Sequence, residues 1–93
     1  MPLTWLFNFV KPYPVRVSST SGGAHVHGSY HYMHRALDVV GTPAALMRVQ
    51  QAALARPLQF REAFYDPANR YVKNGVVRQG RIGGHVDHVH LAR

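Results

Sequence analysis

The chain contains no cysteine, which excludes a disulfide framework and any thiolate metal site. Acidic residues are nearly as scarce. Asp38, Glu62, Asp66 and Asp87 are the full set of four, against eleven Lys and Arg, and the formal net charge is +7. No apolar stretch approaches the ~20 residues needed to cross a bilayer. The apolar start Met1–Val10 has no basic leader before it and no small-residue cleavage site after it, so it does not read as a signal peptide. Repeats, low-complexity segments and domain boundaries are also missing, and 93 residues are read as one domain.

A chain this short buries a small core, and a bound metal would add stability that such a core lacks. The excess of positive charge points to a polyanionic partner or simply to solubility. Nucleic acid is disfavoured, because the basic residues are scattered and no recognition motif is present. The anionic polymers of a bacterial wall are the other candidate.

What is present is histidine, seven in all, and several stand beside the scarce acids. One stretch, Gly28–Gly41, holds His31 and Asp38. A second, Gly83–Ala92, holds Asp87, His88 and His90. An open zinc site needs three nitrogen or oxygen ligands and a free position for water. His31, Asp38 and His90 meet that need, and Asp87 is left over as a base. His88, beside the metal but not bound to it, would stabilise an oxyanion. Taken singly, each histidine is more simply an exposed or hydrogen-bonded residue. Asp38 could instead cap a strand end or pair with Arg35, and Asp87 could be a turn residue. His25 and His27 could be extra ligands, but more simply line the approach or are exposed.

The local patterns give a coarse arrangement. Residues 1–15 are broken by Pro2, Pro12 and Pro14, and Trp5, Phe7 and Phe9 alternate, which predicts an extended arm packed on the core. Val15–Ser19 reads as a short strand and Thr20–Ala24 as a loop. Arg35–Val40 reads as a strand. Thr42 and Pro43 open a helix through Arg56, with Leu46, Val49, Ala53 and Leu54 buried. Leu58–Tyr65 alternates as a strand. Residues 69–84 predict a long loop or loose hairpin, and Val86–Ala92 a final strand. On that strand His88 and His90 share a face, so Asp87 joins them only if it belongs to the turn before the strand.

The motif Ser29-x-His31-x-x-x-x-Ala36-x-Asp38, followed by His88-x-His90, resembles the zinc peptidases of the D-alanyl-D-alanine carboxypeptidase and phage endolysin type (M15-like). Phe64-Tyr-Asp-Pro67 and Ile82-Gly-Gly-His85 extend the resemblance, which runs from about Ser29 to Ala92. His34 stands where that family has Gly. The resemblance implies an α+β domain of the hedgehog/DD-peptidase kind over 1–93, with a small antiparallel sheet carrying the zinc site and one main helix packed on it. It implies Zn²⁺ on His31, Asp38 and His90, and Asp87 as base. The substrate it implies is the peptide of peptidoglycan, with Arg35 or a loop arginine on a substrate carboxylate. The expected setting is a phage lysis or virion protein, or a domain of a secreted or periplasmic wall enzyme. The alternative is a zinc-stabilised module of the same fold that binds wall peptide or a protein partner without turnover.

Overall fold

The computed structural model describes residues 2–20 and 35–93. It begins with helix α1, Pro2–Val10, where an extended arm was expected. The correction has a simple cause. Pro2 sits at the start of the helix, where proline's missing N–H costs nothing, and Pro12 and Pro14 lie beyond its end. The apolar period is four rather than two. Leu6 and Val10 are buried, while Phe7, the middle member of the apparent alternation, is exposed. Trp5 and Phe9, one turn apart, stack with ring centroids 5.6 Å apart.

Six strands follow: β1 (Arg16–Ser19), β2 (Ala36–Val40), β3 (Glu62–Phe64), β4 (Arg70–Lys73), β5 (Val76–Gln79) and β6 (Val89–Ala92). They form one sheet in the order β1-β2-β6-β3-β4-β5, with every neighbouring pair antiparallel. The domain is therefore α+β, as expected, with two helices where one main helix was expected. None of the helices in the described residues is long and apolar enough to cross a membrane.

Helix α2, Pro43–Leu54, lies between β2 and β3 in the chain. The Thr42 hydroxyl accepts from the Ala45 N–H at 3.2 Å, and Pro43 occupies the first turn. The helix ends two residues before the predicted Arg56. Its buried face is Leu46, Val49, Ala53 and Leu54, as its period requires, together with Gln50. The Gln50 amide donates to the Ala63 carbonyl at 2.8 Å and to the Arg70 carbonyl at 3.2 Å, tying the helix to β3 and β4. Both helices pack on one face of the sheet, against Leu37, Val39, Ala63, Val72, Val89 and Leu91.

Three further expectations change. The strand predicted over Leu58–Tyr65 keeps only Glu62–Phe64, because Pro57 opens a 3₁₀ turn that turns Leu58 out to solvent, 91% exposed. Residues 69–84 contain a regular hairpin, β4–β5. Its turn is Asn74-Gly75, with φ of 52° and 78°, the left-handed pair of a two-residue hairpin. The final strand starts at Val89 rather than Val86, so Asp87 and His88 precede it.

Candidate functional site

Strand β6 is central, hydrogen-bonded to β2 on one side and β3 on the other, and it brings distant residues together. Asp38 lies opposite His90, and Phe64 lies opposite His90 on the other side. Glu62 is two residues from Phe64, so it shares that face. Leu37, Val39, Val89 and Leu91 alternate with these residues and point to the helices. The polar group thus occupies the sheet face away from the helical layer.

His90 is held on both ring nitrogens. Nδ1 is 3.1 Å from Asp38 Oδ1, and Nε2 is 2.8 Å from Glu62 Oε1. Its ring stacks on Phe64 at 5.2 Å, and only 7% of the residue is exposed. Lys73 closes the row with a 3.0 Å ion pair to Glu62. Burial pushes the His90 pKa down, but the hydrogen bonds and charges of Asp38 and Glu62 outweigh it and leave the pKa raised. Burial pushes the Glu62 carboxyl up, yet bonds from His90 and Lys73 leave it below its usual value.

The segment before β6 is pinned by Asp66. Its Oδ1 accepts from the N–H groups of Ile82 and Gly83, both at 3.1 Å, and its Oδ2 accepts from His85 N–H at 3.0 Å. Burial raises the Asp66 pKa, but these three backbone donors outweigh it and leave it depressed. Gly83 and Gly84 make the bend with φ of 98° and 73°. The bend carries Asp87 and His88 toward the sheet. Asp87 Oδ1 is 2.8 Å from His88 Nδ1, and that bond holds the Asp87 pKa below its usual value. The Asp87 side chain is 85% exposed. The His85 ring links the two groups, with its centroid 5.0 Å from His88 and 5.8 Å from His90. Burial depresses the His85 pKa.

Of the residues named from sequence, the structure brings Asp38 and His90 into contact and places Asp87 in the turn, with His88 beside it. His88 does not share a strand face with His90, because β6 begins after it. His31, His34, His25, His27 and Ser29 lie outside the described residues. Arg35 does not pair with Asp38; its Nε donates to the Arg93 main-chain oxygen at 3.0 Å. Sequence reasoning passed over Glu62 and Asp66. Glu62 could have been found, because it shares the period-two face of Phe64 and is one of only four acids.

Among the described residues no three histidine or carboxylate groups converge on one point as a metal site would need. Two ligands about 2.05 Å from a tetrahedral zinc lie about 3.3 Å apart. Asp38 Oδ1 and His90 Nδ1 are 3.1 Å apart, a separation that suits both a shared metal and a hydrogen bond. Glu62 on Nε2 stands where an outer carboxylate would orient a ligating imidazole. Asp38 Oδ1 and His90 Nδ1 thus have the spacing of two ligands on one metal, and the third ligand expected from sequence, His31, lies outside the described residues.

The chain matches no protein-family model, no curated protein and no solved structure.

Proposed function

We propose that the protein is a zinc-dependent peptidase of the M15-like, hedgehog/DD-peptidase kind, hydrolysing an amide bond in the peptide of peptidoglycan. It would act on the bacterial wall as a phage lysis or virion protein, or as a domain of a secreted or periplasmic enzyme. The observation that carries this reading is His90 clamped between Asp38 on Nδ1 and Glu62 on Nε2. Regular strand pairing sets that arrangement, and it matches what an open N/O site asks of two of its three ligands.

His31, Asp38 and His90 would hold the metal. When bound, zinc supplies Lewis acidity that brings the pKa of water toward ~7. Asp87 is ionised at neutral pH, because His88 keeps its pKa low. It accepts a proton from the attacking water and returns it to the leaving amine. His88, bonded to Asp87 through Nδ1, would stand beside the developing oxyanion and stabilise it. Glu62 accepts from Nε2–H of His90 and so fixes the tautomer that presents Nδ1. Asp66 holds the loop that positions Asp87 and His88.

The test pairs metal content of the purified protein with digestion of cell wall before and after chelation. Bound zinc with chelator-sensitive digestion supports the reading, and a fully folded protein that takes up no zinc sinks it. The high exposure of Asp87 favours a second reading, a zinc-stabilised module that binds wall peptide without turnover. Zinc without digestion would select that module.

A further inference from the structure

The strand register that builds the histidine site builds a second row at one end of the same three strands. Arg93 N–H donates to the Arg35 carbonyl at 3.0 Å, and Arg61 N–H donates to the Ala92 carbonyl at 2.9 Å. With Ala36 opposite Ala92, and Glu62 opposite Ala92 on the other side, Arg35, Arg93 and Arg61 come next in line across β2, β6 and β3. This row is three residues along from Asp38, His90 and Phe64, or about 10 Å. An odd step also puts it on the other face of the sheet. The guanidinium of Arg93 confirms the side, lying over the Trp5 ring of α1 at 4.0 Å. The row is therefore separate from the proposed catalytic face.

A cavity of about 500 Å³ opens there, lined by the three arginines with Gln59 and Asn74 among its walls. Like charges on adjacent strands repel and weaken the pairing unless something neutralises them. No side chain does so, and the Arg93 main-chain oxygen that Arg35 bonds offsets at most one of the three charges. The chain has four acids, and each is engaged elsewhere: Asp38 and Glu62 with His90, Asp66 with the 82–85 backbone, and Asp87 with His88. Two of the guanidiniums are already held in place, Arg93 by Trp5 and Arg35 by the Arg93 main-chain oxygen. Less side-chain freedom would then be lost on binding a ligand.

We propose that this cavity is a binding site for a phosphate group. Guanidinium forks match oxyanions in a bidentate geometry. One fork satisfies the two oxygens of a carboxylate, whereas three forks from neighbouring strands suit a tetrahedral anion with more oxygens. The phosphate is either free inorganic phosphate or the phosphodiester of an anionic polymer. The proposal does not depend on zinc or on peptidase activity.

The experiment titrates the full chain by calorimetry with inorganic phosphate and, separately, with poly(glycerol phosphate). Three proteins are compared: the parent, Arg61→Gln in the row, and Arg78→Gln on β5, which removes the same charge from an exposed position outside it. Arg61 is itself exposed, so its replacement leaves the core intact. Arg61→Gln is expected to weaken binding about tenfold, the size of one charge-assisted hydrogen bond, with an unchanged melting temperature. Arg78→Gln is expected to stay within about twofold. Binding of both probes identifies a free-phosphate site, and binding of the polymer alone identifies a phosphodiester site. Equal weakening by Arg61→Gln and Arg78→Gln would reduce the effect to net charge and overturn the proposal, as would binding of neither probe by the parent.

Discussion

Two histidine–carboxylate pairs stand within a few residues of each other, and they are built in opposite ways. His90 and Asp38 face each other across paired strands, with Glu62 behind the ring, and their side chains are 9%, 14% and 13% exposed. His88 and Asp87 are sequence neighbours on a bend, and the Asp87 side chain is 85% exposed. The first pair is fixed by long-range register, so removing a partner leaves buried charge behind. The second is fixed locally, and water replaces whatever is lost. A site that must hold an ion needs the first kind of construction, while one that exchanges protons with water is served by the second.

The largest effect should come from His90→Ala. It removes the partner that Asp38 and Glu62 share, and breaking a buried ion pair costs about 3–5 kcal/mol. Urea unfolding is expected to show that loss, and elemental analysis the loss of zinc. Asp87→Ala, at a side chain 85% exposed, is the matched control and should stay within about 0.5 kcal/mol. Equal destabilisation by the two would erase the distinction between them.

Asp87→Asn tests the exposed pair by activity. Zinc and folding should be retained, while digestion of cell wall falls by ~10²–10⁴-fold, the usual contribution of a general base. Digestion at the parent's rate would leave Asp87 as a turn residue.

Glu62→Gln tests the buried pair from behind. It preserves size but lets the amide present either a donor or an acceptor to Nε2, so the tautomer is no longer fixed. Zinc affinity measured by competition with a chelator should fall about 10–100-fold. An unchanged affinity would make Glu62 a partner of Lys73 alone.

Asp66→Asn is expected to cost about 2 kcal/mol of stability at neutral pH, because a charged acceptor of backbone N–H groups becomes a neutral one. The Asp66 pKa is depressed in the folded chain from its ordinary 3.8. Its stabilisation is therefore complete above pH 3.8 and fades as the pH falls through the lower folded value. The gap in melting temperature between parent and variant should therefore narrow as the pH is lowered below 3.8. A gap that persists there would assign the cost to packing.

Legibility followed the range of the interaction. Helix α2 was readable from Thr42, Pro43 and its apolar period, because capping and amphipathicity are local. Strand β2 and the turn position of Asp87 were readable for similar reasons. Helix α1 was not, since three prolines and an alternation of aromatics outweighed the spacing of four between Trp5 and Phe9. The β4–β5 hairpin was signalled by Asn74-Gly75 and obscured by the glycines around it. The partnership of Glu62 with His90 depends on β6 lying between β2 and β3, and nothing local to either residue carries that order. Asp66 was hidden in the same way, because its backbone partners lie 16 to 19 residues further along.

The placement of β6 also sets the order in which the chain assembles. Residues 89–92 are inserted between strands made from residues 36–40 and 62–64. Until they arrive, β2 and β3 have no neighbour on their inner sides, and two open edges face solvent. Contacts of such sequence separation close slowly, and unpaired edges invite association with other chains. Expression yield and refolding should therefore depend on substitutions in β6 more than their effect on final stability suggests. A polypeptide ending before Val89 would be two unconnected half-sheets rather than a domain lacking one ligand.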